Sequence, residues 1–181
     1  MVYTLRKGFY GMEIKQCTPD DAQALAIVVA TTWQTAYDDV LPPSVLDADS
    51  TRLRIEHLGY FYANGLQNSW FEGFFIVENS ANIGCFMTGH SRDADADLSV
   101  AEILGIYIIG GYRHQGFGTQ ALAFIEDRLR LQGYKRVTLW VLEDNERPIR
   151  FYRKHGYQPD GALRSAVLGN SIVELRFAKT L

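Results

Sequence analysis

Apolar residues recur along the chain with two periods, and the switches between them mark the elements. The first regular run, Glu13-Ile14-Lys15-Gln16-Cys17, is opened by Met12 and alternates polar with apolar positions, which predicts a strand. Thr18 follows as a helix N-cap, with Pro19 at the first helical position and Asp21 three residues past the cap, a capping-box arrangement. Leu25, Val28, Val29 and Trp33 then recur at helical spacing. Their stripe runs to about Tyr37, before Leu41-Pro42-Pro43 breaks it. A second helical stretch covers Ser50 to about Asn64, with Leu53, His57 and Phe61 on one face and Arg and Glu beside them.

From Phe71 the pattern turns to extended structure. Phe74 to Glu78 and Ile83 to Thr88 flank Asn79-Ser80-Ala81-Asn82, a hairpin with a turn-forming tip. Asp93, Asp95 and Asp97 mark an exposed, solvated acidic loop. Ser99 to Ile109 is a long extended run in which Gly105 signals a bulge. Thr119 to Leu131 is helical, with Leu122, Ile125 and Leu129 inward and Glu126, Asp127, Arg128 and Arg130 outward. A buried-type strand from Val137 to Leu142 and a short helix from about Arg147 to His155 follow. Gly156 ends that helix, and strands near Tyr157 and from Ile172 to Ala178 close the chain. The order predicts a mixed α/β sheet with helices on its faces. Residues 1–11 carry no clear period and read as an N-terminal extension, leaving 12–181 as one domain.

Composition narrows the chemistry. The chain has 181 residues, room for one domain, and its 47% hydrophobic content is enough for a sizeable core. Eighteen basic against 21 acidic residues leave a net charge of −3, which offers no field for wrapping nucleic acid. No apolar run has the ~18 residues of a membrane span. Cys17 and Cys85 stand apart and outside any Cys/His cluster, so neither a disulfide framework nor a zinc site is expected, and a reducing, cytoplasmic setting is. His57, His90, His114 and His155 have no metal-ligand spacing, and no metal is expected.

The most informative segment runs from Ile106 through Gly110-Gly111-Tyr112-Arg113-His114-Gln115-Gly116-Phe117-Gly118 to Thr119, a strand passing through a glycine-bearing loop into a helix. Unpaired N–H groups at a helix start, with the positive end of its dipole, make an anion site suited to a pyrophosphate. Gly116-Phe117-Gly118-Thr119-Gln120-Ala121 also fits the dinucleotide fingerprint G-x-G-x-x-A, with Glu143 as its ribose acid. Against an NAD(P)-binding enzyme, the fingerprint needs a turn straight off the strand, whereas Gly110 to Arg113 intervene here.

The second constellation is Asn145-Glu146-Arg147-Pro148-Ile149-Arg150-Phe151-Tyr152-Arg153-Lys154-His155-Gly156-Tyr157. With Arg113, Gly116 and Gly118 fitting [RQ]-x-x-G-x-[GA], and this stretch fitting N-x-x-[AP]-x-x-[FL]-Y-x-x-x-G-[FY], the sequence resembles the GNAT superfamily of N-acetyltransferases over residues 12–181. The run Trp33-Gln34-Thr35-Ala36-Tyr37 leading to Leu41-Pro42 looks like the first helix and loop of small bacterial members. The C-terminal half resembles a bacterial polyamine acetyltransferase.

The resemblance implies a mostly antiparallel sheet of six to seven strands with helices on both faces. It also implies transfer of an acetyl group from acetyl-CoA to a primary amine, of a small molecule or a peptide, by direct attack in a ternary complex. Backbone groups of Ile106, Tyr107 and Ile108 would hold the pantetheine arm. The amides of His114, Gln115, Gly116, Phe117, Gly118 and Thr119 would hold the pyrophosphate, with Arg113 supporting the loop. Asn145 would touch the cofactor arm and Tyr152 would face the thioester sulfur as the acid. Family members are often dimers, and apolar C-terminal strands suit a homodimer. A non-catalytic acyl-CoA-binding sensor module is the alternative.

An amine of pKa about 10.4 is neutral about once in 2,500 molecules at pH 7, equivalent to about 4.6 kcal/mol. Direct attack therefore needs a proton acceptor. Strand alternation puts Glu102 on the face of Leu104, Ile106 and Ile108, which makes it the candidate base, through water or with its pKa raised by burial. Trp33 and Tyr37 are the candidate walls of the acceptor pocket. Residues 128–154 hold eight basic and three acidic residues, a +5 excess suited to the ribose phosphate of CoA.

Overall fold

The computed structural model describes residues 2–4 and 12–181. At the start of the first helix, the Asp21 carboxylate accepts from the Thr18 N–H at 2.9 Å and its hydroxyl at 3.0 Å. One 3-10 turn over Pro19–Asp21 then leads into α1 (Ala22–Ala36). A four-residue helix, α2 (Pro43–Leu46), absorbs the double proline. Asp47 caps α3 (Ala48–Gln67) by accepting from Ser50 N–H at 2.7 Å.

Leu53, His57 and Phe61 do share a face of α3, and it is the solvent-facing one. The buried positions are Gly59, Tyr62 and Gly65. Glycine adds nothing to a hydropathy period, so this seam is silent in sequence. It is tight in space: a Cβ on Gly65 would lie 2.1 Å from the Phe71 ring, which is itself held by the Phe61 and Tyr62 rings. Gly65→Ala gains about 1 kcal/mol of helix propensity but overpacks this contact at a cost of about 1–3 kcal/mol. A net loss of stability in urea unfolding is therefore expected.

The strands are β1 (Val2–Thr4), β2 (Glu13–Gln16), β3 (Phe71–Glu78), β4 (Ala81–His90), β5 (Val100–Ile108), β6 (Arg136–Leu142), β7 (Gln158–Leu168) and β8 (Asn170–Thr180). They form one sheet in the order β1-β2-β3-β4-β5-β6-β8-β7, antiparallel except for β5 with β6. The expected six to seven strands are present, and the sheet carries one more at its edge. Seven lie from residue 12 onward, and the eighth is β1, which pairs with β2 at the sheet edge. The rest of the expected extension, residues 1 and 5–11, lies outside the described residues. Asn79 and Ser80 turn the β3–β4 hairpin with φ of 48° and 64°, the left-handed pair that a two-residue hairpin turn requires.

Between β5 and β6 run the 15 residues of α4 (Phe117–Leu131), and α5 (Glu146–Lys154) follows β6. Both pack on one face of the sheet, where Phe117, Leu122, Ile125, Leu129 and Ile149 meet Phe74, Phe86, Ile103 and Leu139. On the other face α1 and α3 cover Phe75, Cys85 and Met87. Burial pushes the Cys17 thiol up to about 12, which leaves it protonated and unreactive at neutral pH.

Two polar expectations change. Glu126, expected outward, is buried and receives Lys179 Nζ at 2.8 Å on both oxygens. Asp93 and Asp95 are anchored rather than simply solvated. Arg176 on β8 donates to Asp95 at 2.6 and 2.7 Å and to Asp160 at 2.9 and 3.1 Å, and lies 3.2 Å from Asp93. These bonds draw the Asp95 carboxyl down to about 2. A value below the unfolded one of about 3.9 stabilises the fold above pH ~4, and that contribution is lost as pH falls towards 2. Thermal unfolding followed from pH 5 to pH 2 should accordingly fall more steeply for the native chain than for Asp95→Asn.

Candidate active site

β5 and β6 pair only where Val100, Ala101 and Glu102 meet Arg136, Val137 and Thr138. Beyond that point they part. The β4–β5 register shifts there too, with Thr88 opposite Ile103 and Met87 opposite Gly105, so Leu104 is the extra residue of a bulge. The expected bulge is therefore present. Gly105 is required: a Cβ on it would lie 2.5 Å from the Tyr107 ring, which folds over it.

The bulge also reverses the alternation of side chains. Ala101, Ile103, Ile106 and Ile108 all contribute to the core beneath α4 and α5, while Leu104 and Tyr107 belong to the opposite one. Glu102 thus shares the face of Leu104 but not that of Ile106 and Ile108, a correction to simple period-two counting.

The gap between the strands is a cleft of about 240 Å³. It brings together Glu102, Ile106, Tyr107, Asn145, Tyr152, Trp33 and Tyr37 from the sequence reading. Ile109 N–H bonds back to Ile83 on β4, so alternation aims the backbone groups of Tyr107 at β4 and those of Ile106 and Ile108 at the cleft side.

At the far end of β5 lies the glycine loop. His114 (φ 63°) and Gly116 (φ 88°) are left-handed, curling the backbone before α4, and buried Phe117 pins the helix start in the core. Gln120 N–H bonds back to the Gly116 carbonyl at 3.0 Å as α4 begins. Among the described residues, the N–H groups of His114, Gln115, Gly116, Gly118 and Thr119 make no hydrogen bond to the protein. This is a cradle for an anion, with the helix dipole behind it. Arg113 does not face it: its guanidinium donates to Thr35 O and Oγ1, both at 2.8 Å, and to Ile108 O at 3.3 Å. The residue braces the loop against the end of α1.

Arg147 Nη1 also donates to Thr35 O, at 3.2 Å, and Asn145 Nδ2 donates to Ala36 O at 3.2 Å. The last turn of α1, which carries Trp33 and leads to Tyr37, is therefore tied to both the loop and α5. Trp33 and Tyr37 meet edge to face at 4.9 Å. The basic excess of residues 128–154 is largely neutralised: Arg128, Arg130, Arg136 and Arg147 are in ion pairs with Glu72, Glu126, Asp160 and Asp39.

Tyr152 packs against Phe151 and Tyr157, and burial, with Tyr37 nearby, raises its hydroxyl above the ordinary value. It stays protonated, able to donate. Burial and the Glu174 carboxylate push Tyr37 up to about 12. Glu102 accepts three bonds from Arg92: from the backbone N–H at 3.2 Å, Nε at 2.9 Å and Nη2 at 2.6 Å.

Sequence reasoning missed Arg92, Trp140, Arg164 and Glu174, which complete the wall. Arg164 and Glu174 face each other across β7 and β8, a pairing that no local pattern announces. Among the described residues, no group of three or more His, Cys, Asp or Glu could hold a metal ion, and no helix is long and apolar enough to cross a membrane.

The fold is shared with solved structures. An N-acetyltransferase named PaiA from Thermoplasma acidophilum, solved in complex with coenzyme A, superposes with a TM-score of 0.72 at 19% identity, over 94% of this chain and 99% of that one. A ribosomal-protein-alanine N-acetyltransferase from Brucella melitensis gives 0.69 at 17% identity, over 93% and 99%. In sequence, the chain is 23% identical over 153 residues to the uncharacterized N-acetyltransferase YuaI of Bacillus subtilis (strain 168), covering 81% of this chain and 79% of that protein. The model of the acetyltransferase (GNAT) family matches residues 33–157, which span both the glycine loop and the Asn145–Tyr157 segment, and the chain belongs to that family.

Proposed function

We propose that the protein is an acetyl-CoA-dependent N-acetyltransferase that acetylates a primary amine by direct attack in a ternary complex. The observation that carries this reading is the parting of β5 from β6, which leaves the Ile106 backbone facing a cleft lined by Tyr152. The unbonded N–H groups of His114, Gln115, Gly116, Gly118 and Thr119 fit a pyrophosphate. Asn145 and the β5 backbone border the path between that loop and Tyr152.

Acetyl-CoA supplies an acetyl thioester, so the amine nitrogen forms the new C–N bond as the C–S bond breaks, one proton going to sulfur and one, from an initially protonated amine, to water. Tyr152 holds the proton for sulfur. Trp33 and Tyr37 wall the acceptor side and exclude water there. Glu102, with three donors from Arg92, positions that guanidinium rather than drawing the amine proton itself. Water at the cleft mouth takes that proton.

Thermal unfolding tests the reading. Acetyl-CoA at 100 times its Kd stabilises a protein by about 2.7 kcal/mol, a shift of several degrees. NAD is expected to give none, and stabilisation by NAD alone would overturn the reading.

A further inference from the structure

Two ion pairs line the acceptor side of the cleft, and in each the cation is the exposed member. The Arg92 side chain is 56% exposed against 3% for Glu102, and Arg164 is 43% exposed against 18% for Glu174. The formal charges cancel, so the wall has no net negative field to draw a cation. A molecule entering meets guanidinium edges first.

Arg164 is the better fixed of the two. Its Nε donates to Glu174 Oε2 at 2.6 Å, and its guanidinium carbon lies 4.4 Å from the centre of the Trp140 ring. Trp140 is held in turn, since its indole N–H donates to Asp93 at 3.1 Å and Arg176 lies over the ring at 5.8 Å. Among the described residues, neither terminal nitrogen of Arg164 has a partner, and nor has Nη1 of Arg92. A planar guanidinium with one edge tied down and its terminal nitrogens open matches the two oxygens of a carboxylate.

Resting on the acetyltransferase reading, we infer that the acceptor is a small primary amine that also carries a carboxylate, held by the terminal nitrogens of Arg164 with its amine towards Tyr152. A diamine has no group for this fork, and burying the fork against an alkyl chain leaves its donors unpaired. Arg164 acts in binding, so its loss should appear in KM and Kd for the acceptor rather than in affinity for CoA.

The test uses the nineteen protein α-amino acids that carry a primary amine, each beside its α-amide, with γ-aminobutyrate and 1,4-diaminobutane. Acceptor KM is read from thiol release, and Kd from calorimetry on the CoA-saturated protein. For at least one pair, or for γ-aminobutyrate against the diamine, the carboxylate is expected to bind about 10- to 100-fold more tightly. Arg164→Gln should erase that preference while leaving CoA affinity unchanged, and Arg164→Lys, which keeps the charge without the fork, should restore part of it. A panel in which no carboxylate outperforms its uncharged counterpart overturns the inference, as does an Arg164→Gln variant that weakens both members alike. Carboxylate binding without an acetylated product would instead count against the acetyltransferase reading.

Discussion

If Tyr152 is the acid proposed above, Tyr152→Phe is expected to lower kcat about 100-fold and to leave CoA affinity unchanged. Loss of a positioned proton donor costs about 10²–10⁴ in rate, and the lower end applies here. A phenol of pKa about 10 transfers its proton uphill by roughly 1.5 units to a thiolate whose thiol titrates near 8.5. Burial raises the Tyr152 hydroxyl further, which weakens it as an acid and makes its position the main source of the gain. Phenylalanine keeps the ring that packs against Phe151 and Tyr157, so the fold should persist. The sign of the shift also fixes a pH result. With its value above 10, Tyr152 keeps its proton through pH 9, and any loss of activity between pH 7 and 9 should persist in Tyr152→Phe. An unchanged kcat, or a lost affinity for CoA, removes the acid assignment.

Gly118→Asp should weaken CoA binding at least 100-fold without unfolding the protein. Gly118 is the second residue of α4 and its φ is not left-handed, so an L residue fits the backbone. A Cβ there would meet the Phe151 ring at 3.5 Å, an ordinary contact. An aspartate in the first turn favours the helix dipole by about 0.3–1 kcal/mol, so the melting temperature should hold or rise. The same carboxylate would stand where the pyrophosphate is expected. Two like charges 4 Å apart repel by about 4 kcal/mol at an effective dielectric near 20, and part of that is screened at this half-buried site. Gly118→Asn, of nearly the same shape and no charge, should retain most of the affinity in calorimetry. If the aspartate variant binds CoA normally, the anion site lies elsewhere.

Local signals in the sequence carried far into the fold. Thr18 and Asp21 form their reciprocal start, Asn79 and Ser80 turn the hairpin, Gly156 takes a φ of 86° after α5, and Gly105 sits at the bulge. Each is decided within a few residues, where propensity and sterics act. What sequence reading missed lies between distant segments. Glu126 looks like a surface residue until Lys179, 53 positions away, reaches it. Asp93 and Asp95 look like solvated loop residues until Arg176 gathers them. Period-two counting carried Glu102 to the face of Ile106, because one inserted residue reverses every side chain beyond it. The acceptor wall was least legible for the same reason: Arg164, Glu174 and Trp140 come from three strands and meet only through register.

The central claim is tested most directly by mass spectrometry of the amine panel after incubation with acetyl-labelled acetyl-CoA, with the native chain and with Tyr152→Phe. The account predicts labelled N-acetyl product from at least one amine, formed about 100-fold more slowly by the variant. CoA bound in the cleft with no label reaching any amine would contradict it and leave an acyl-CoA-binding module.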